Sequence, residues 1–148
     1  MTPQDITILA LTAWRENRGG QPQPEAMQSV CNVVMNRVAK RGTDAWTECT
    51  RHMQFSSITA PGDPELALWP SDSDPQWGTA LGLAEAAANG SLVDLTGGAD
   101  LYYAPASIIT VASVTLPNGT TIPFPQGWNP AAVTYKATIA DQVFFKST

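Results

Sequence analysis

A chain of 148 residues, 43% hydrophobic and 14% charged, can bury one hydrophobic core, and residues 1–148 are expected to form a single catalytic domain. Its net charge of −5, with basic residues scattered apart from Arg37, Lys40 and Arg41, argues against nucleic acid as a partner, because phosphate neutralisation needs clustered Lys and Arg. His52 is the sole histidine and the two cysteines lie outside any Cys-x-x-Cys spacing, so no metal and no organic cofactor is expected.

In chain order, Thr2-Pro3-Gln4-Asp5 reads as an N-cap, a first-turn proline and an acidic third position. It lacks the positive region of a secretory signal, so synthesis in a cytoplasm, without a leader, is the expectation. The helix that follows carries Ile6, Leu9, Ala10, Ala13 and Trp14 on one face and is expected to stop at Gly19-Gly20. A second helix opens at Pro24-Glu25, with Met27, Val30, Cys31, Val34, Met35 and Val38 as its buried stripe, and ends at Gly42. Arg37, Lys40 and Arg41 fall in its last turns, where cations suit the helix dipole. A short helix is expected around Asp44 to Arg51, followed by Gln54-Phe55-Ser56-Ser57. Residues 60–74 read as a long surface loop rich in Pro, Asp and Ser.

Asp74-Pro75 then caps a helix with Trp77, Ala80, Leu81, Ala84 and Ala88 facing inward, ended by Asn89-Gly90. Beyond Ser91 the pattern turns to strands. Val111–Leu116 and Thr120–Pro123 flank Pro117-Asn118-Gly119, a hairpin signal. Val133–Ile139 and Gln142–Lys146 flank Ala140-Asp141, a second hairpin. Helices first and a small hairpin-rich part after make the fold class α+β. No apolar run approaches the roughly 20 residues of a membrane span.

The chemistry most suited to this inventory is carboxyl-based. A glycosidase needs an acid that keeps its proton near neutral pH, and partial burial supplies that by penalising the charged form. Glu16 lies in the last turn of the first helix, where the dipole also disfavours a carboxylate. Cys31 sits on an apolar stripe, and Cys49 shares a short segment with His52; both are expected to be structural.

Several segments carry a family resemblance. Trp14-Arg15-Glu16-Asn17-Arg18-Gly19-Gly20, Gln28, Asn32 and Val33-Val34-Met35-Asn36-Arg37-Val38 resemble the opening of SleB/CwlJ-type cell-wall hydrolases. The likeness continues through Gln54-Phe55-Ser56, Gly98 to Pro105, Trp128 and Ile139 to Phe145. The chain departs from the family pattern at Asn17, Gly20 and Gln142. The resemblance implies a lysozyme-related α+β fold and a peptidoglycan glycosidase, usually a lytic transglycosylase, with Glu16 as the catalytic glutamate. It implies glycan contacts by Gln54, Phe55, Ser56, Tyr102, Tyr103 and Trp128. Strand alternation lets only one of Tyr102 and Tyr103 face a cleft, with Tyr103 preferred. Trp128 reads equally as a sugar platform or a lid on the core.

The partner is then the glycan strand of peptidoglycan, met by a monomer that does not insert into membrane. Synthesis without a leader combined with a wall substrate suggests a phage or prophage lysis enzyme. No second acid occupies a motif, which points to an anhydro product over a hydrolytic one. A non-catalytic glycan-binding or virion component, or a cysteine amidase, are the alternatives.

Overall fold

Helix α1 (Pro3–Glu16) starts where its sequence announces it. Thr2 Oγ1 accepts from the Asp5 backbone N–H at 3.2 Å, and the Asp5 carboxylate accepts from the Thr2 N–H at 2.7 Å, a closed capping box. The structure, a computed structural model, describes residues 1–17 and 24–148. The expected stop at Gly19-Gly20 lies outside the described residues. The helix ends at Asn17, whose side-chain amide donates to the Ala13 carbonyl at 2.8 Å and takes up one of the orphan acceptors of the last turn.

Four further helices follow: α2 (Pro24–Arg41), α3 (Ala45–Thr50), α4 (Ser56–Thr59) and α5 (Pro75–Ala88). Helix α1 runs between α2, α3 and α5. This explains a departure from the amphipathic reading. Ile8, Leu11, Thr12 and Arg15 are buried along with Leu9, Ala10, Ala13 and Trp14, whereas Ile6 is only half-buried. A helix enclosed on several sides needs more than one apolar stripe. Thr12 tolerates burial because its hydroxyl donates to the Ile8 carbonyl at 2.8 Å.

The basic cluster of α2 does more than complement a dipole. Arg37 is buried, and its Nε donates to the Asp100 carbonyl at 2.7 Å. Lys40 Nζ pairs with the Asp100 carboxylate at 2.8 Å, and Arg41 with Glu48 at 2.5 Å. The first two tie the helical part to the segment that enters the sheet.

The strands are β1 (Leu101–Tyr103), β2 (Ser113–Thr115), β3 (Thr121–Pro123), β4 (Val133–Ile139) and β5 (Gln142–Ser147). Both expected hairpins form, β2–β3 by themselves and β4–β5 as part of a three-stranded antiparallel sheet of order β1-β5-β4. Gly119 and Ala140 hold the positive φ angles these turns need, 86° and 52°. The register Tyr102↔Phe144 and Tyr103↔Val143 decides what each face buries. Tyr102 and Phe144 turn toward the helices, Phe144 packing with Val33 and Ala99. Tyr103, Val143 and Phe145 join Leu116 and Phe124 in a second cluster on the opposite face.

Residues 60–74, read as a surface loop, contain a 3₁₀ turn at Pro64–Ala67, capped by Asp63, whose carboxylate accepts from the Glu65 N–H at 2.9 Å. No described helix is long and apolar enough to cross a membrane.

Phe144 is fully buried at the junction of helices and sheet. Phe144→Ala is expected to cost ~3–5 kcal/mol through lost transfer energy and a residual cavity. Urea unfolding followed by circular dichroism measures it, and a cost below about 1 kcal/mol would show that the junction collapses around the deletion.

Candidate active site

Glu16 is the last residue of α1 and is half-buried. Its two carboxylate oxygens are each held by a hydroxyl from a different part of the chain. Ser57 Oγ donates to Oε1 at 2.5 Å, and Tyr102 Oη donates to Oε2 at 3.0 Å. Ser57 is buried on α4, and Tyr102 comes from β1. Burial holds the Glu16 carboxyl above its ordinary value of 4.5; the two hydroxyls pull it back, and the charges of Asp63 and Glu65 push it up again. The dipole argument from sequence thus yields to a stronger one, since desolvation leads and the loop acids add to it.

Arg15 organises the surroundings. Its guanidinium is buried and donates to three backbone carbonyls: Ser57 at 3.0 Å, Leu66 at 3.4 Å and Leu68 at 2.9 Å. The Trp69 ring covers it at 4.9 Å. Two adjacent residues of α1 therefore grip Ser57 at both ends, Arg15 by its carbonyl and Glu16 by its hydroxyl. The same guanidinium straps the loop that carries Asp63 and Glu65 beside the carboxyl. Trp14 completes the motif: its indole N–H donates to Asp74, the N-cap of α5, at 2.8 Å.

Tyr102 is fixed by its neighbours. Its ring stacks on Phe144 with centroids 5.6 Å apart and leans on Phe55 at 6.5 Å. Burial, then the Glu16 charge, keep the phenol's proton well above the usual value of 10, so it acts as a donor.

The sequence-expected glycan contacts separate into groups. Gln54 and Ser56 are exposed next to Ser57. Phe55 is only 1% exposed, with its ring under the Arg37 guanidinium, so it fills the core and presents no face to a sugar. The preference for Tyr103 over Tyr102 is reversed. Tyr103 packs with Phe124, Trp128 and Phe145, and its hydroxyl donates to the Pro123 carbonyl at 2.8 Å. Alternation does send one ring each way, but the β1–β5 register gives Tyr102 to the helical side. Trp128 is half-buried and stands edge-on to Tyr103, Phe124 and Phe145, a lid on the second cluster. Ser57 was missed. Its signal was its place next to Gln54-Phe55-Ser56, since consecutive residues of a helix point about 100° apart and a neighbouring serine can turn inward where Ser56 turns out.

Other candidates for chemistry fall away. Glu48 is fully buried among Arg41, Arg51 and Thr43, and these partners hold its carboxyl below the ordinary value despite its burial. Cys31 and Cys49 are both free and buried, and burial pushes each thiol up to about 12, far from a nucleophilic thiolate. His52 is exposed beyond the end of α3. Among the described residues, no group of His, Cys, Asp and Glu could hold a metal ion.

No protein-family model matches the chain, and no curated protein matches it. A solved structure does: the catalytic domain of the germination-specific lytic transglycosylase SleB from Bacillus anthracis. The two are 21% identical and superpose with a TM-score of 0.66, covering 99% of this chain and 97% of that one. The likeness establishes a shared α+β fold.

Ser57→Ala and Tyr102→Phe each remove a donor that favours the charged carboxylate, so each is expected to raise the Glu16 pKa further. Carboxyl ¹³C titration reads the shift directly, and an unchanged midpoint in both variants would refute the assignment of these hydroxyls. Glu16→Gln carries a second expectation, on stability. The unfolded chain releases the Glu16 proton near 4.5, whereas the folded chain holds it to higher pH. Parent stability relative to the Gln variant therefore falls as pH rises through that window, then levels off once the folded pKa is passed. Thermal melts between about pH 4 and about pH 8 should show the gap opening upward.

Proposed function

We propose that this chain is a peptidoglycan glycosidase that cleaves the β-1,4 bond from N-acetylmuramic acid to N-acetylglucosamine, with Glu16 as general acid and then base. The observation that carries the reading is the Glu16 carboxyl itself, desolvated, with both oxygens oriented by hydroxyl donors. Support comes from the fold shared with the catalytic domain of a lytic transglycosylase. The near end-to-end match to a catalytic domain also favours taking residues 1–148 as one catalytic domain.

In this reading the protonated Glu16 donates to the glycosidic oxygen as the bond to the muramic C1 breaks, releasing the N-acetylglucosamine 4-hydroxyl. Positive charge develops at C1 and the ring oxygen. The muramic 6-hydroxyl then attacks C1, and its proton passes to the Glu16 carboxylate, restoring the acid. The attack is intramolecular, and well-oriented reactions of this kind reach effective molarities on the order of 10⁵–10⁸ M. Ser57 and Tyr102 hold the carboxyl in place for both proton transfers, and their hydrogen bonds strengthen when it is charged. Exposed Gln54 and Ser56 flank the acid and are proposed to contact the glycan.

A hydrolytic reading is favoured by one specific observation. Asp63 and Glu65 lie close enough to act on the charge of Glu16, and a second carboxylate could activate a water.

Glu16→Gln is expected to fold and to lose on the order of 10²–10⁴ or more in rate on purified sacculi, since the shape stays and the transferable proton goes. Clearing at even a third of the parent rate would end the assignment. Mass spectrometry of the digest decides between products, because an anhydro muramic end is lighter by one water than a reducing end. Anhydro ends are expected from the parent and from the Asp63→Asn/Glu65→Gln double variant alike. Reducing ends that vanish in the double variant would make the enzyme a muramidase using a loop acid as base.

A further inference from the structure

Two tryptophans stand unexpectedly in solvent. Trp46 is 50% exposed and Trp69 is 73% exposed, while Trp14 is 2% exposed. Both line one groove of about 440 Å³ on the outer face of α1, with Ile8 and Leu11 as floor and Gln4 and Thr7 among its walls. The size suits a small-molecule cleft.

The two rings are mounted on fixed supports. Trp46 lies in the first turn of α3, and its backbone N–H donates to Asp5 at 2.9 Å, which ties it to the capping box of α1. Trp69 rests over the buried Arg15 guanidinium, whose Nη2 donates to the carbonyl of Leu68, the preceding residue, at 2.9 Å. Rigid aromatic faces lose little conformational freedom when a ligand stacks on them.

We infer that this groove is an accessory platform for an uncharged glycan, taking the apolar face of an N-acetylhexosamine ring against Trp46 and a second against Trp69. Charge decides the occupant. Among the described residues no charged side chain lines the groove, and Trp46 and Gln4 also border a second depression of about 400 Å³ that includes Asp5 and Asp44. A glycan with carboxylates on the seated sugar rings would meet the exposed Asp44 carboxylate, in a chain of net charge −5. A neutral sugar instead offers hydroxyls to the exposed Asp44 carboxylate and its ring faces to the indole, the buried Asp5 carboxylate being taken up by Thr2 and the Trp46 N–H. The Gln4 amide adds a donor and an acceptor. Thr7 Oγ1, which donates to the Pro3 carbonyl at 2.9 Å, keeps its acceptor capacity.

The groove also leads toward the candidate acid. Gln4, Thr7 or Ile8, and Leu11 form a row along α1, and Arg15 is the next position on it. A strand lying along the row and passing Trp69 would therefore approach the loop of Asp63 and Glu65. The choice of occupant rests on the proposed glycan substrate, and the role is to hold the polymer, separate from the proton transfers at Glu16.

The test uses the Glu16→Gln protein and the tetramer of N-acetylglucosamine, so that binding is read without turnover. The indole N–H resonances of Trp46 and Trp69 are expected to shift on titration while that of Trp14 stays still. Trp46→Ala should weaken binding to sacculi about tenfold, the loss of a stacked ring, and Trp46→Phe should restore most of it. In the parent background, Trp46→Ala should slow digestion of sacculi and leave cleavage of short soluble fragments unchanged. Shifts confined to residues around Glu16 would overturn the platform. So would sedimentation showing a dimer that Trp46→Ala abolishes, since a second copy of the chain would then be the occupant. Failure of Glu16 as the acid would show in activity alone and leave the indole shifts in place.

Discussion

Everything near the candidate site depends on the end of α1, where a buried cation and a desolvated carboxyl occupy consecutive positions. A guanidinium leaves water at a cost of several kcal/mol unless its donors are used, and Arg15 meets that condition by binding the carbonyls of Ser57, Leu66 and Leu68. Those bonds do not merely satisfy the arginine. They bring α4 and the following loop against the helix end, and so decide which side chains surround Glu16. The carboxyl is therefore embedded by its neighbour in sequence. Hydrogen bonds to a charged group contribute roughly 1.5–3 kcal/mol each, so the hydroxyls of Ser57 and Tyr102 offset part of the cost of ionising it there.

The sheet contributes through register alone. Strand β1 has only three residues, Leu101–Tyr103, yet its pairing with β5 chooses which tyrosine reaches the helices. A shift by one residue would exchange the faces, sending Tyr103 toward Glu16 and Tyr102 into the second cluster. Several contacts hold the choice in place. Asp100, just before β1, accepts from Lys40 at 2.8 Å and from the Ser147 N–H at 2.7 Å, while Arg37 binds its carbonyl. On one face the Tyr102–Phe144 stack lies against Val33 and Ala99, and on the other Tyr103 stacks on Phe145. The site thus joins two parts of the molecule that are far apart in sequence, with the carboxyl from the first helix and one of its two donors from the first strand.

Local chemistry was readable from the residues. Thr2 to Asp5, Asp44 and Asp74-Pro75 announce helix starts because capping uses neighbouring atoms only. Pro117-Asn118-Gly119 and Ala140-Asp141 announce hairpins for the same reason. The suspicion that fell on Glu16 came from its place in a last turn and from a resemblance spread over short motifs. The structure adds the hydroxyls that hold it and the loop acids that face it.

What the sequence determined by itself is the four longer helical segments, the two hairpins, their order and the α+β class, since propensity, capping and turn geometry act over a few residues; the short helix α4 and the 3₁₀ turn at Pro64–Ala67 were not legible. What only the tertiary structure decided is which side chains meet. Phe55 went to the core rather than to a cleft, Ser57 rather than Ser56 reached the carboxyl, and Tyr102 rather than Tyr103 became its donor. Arg15, read in the sequence only as part of a motif, became a buried clamp. Each of these outcomes depends on a helix phase, a strand register or a chain crossing set by packing between distant segments. Such contacts are long-range, and no periodicity within one segment encodes them.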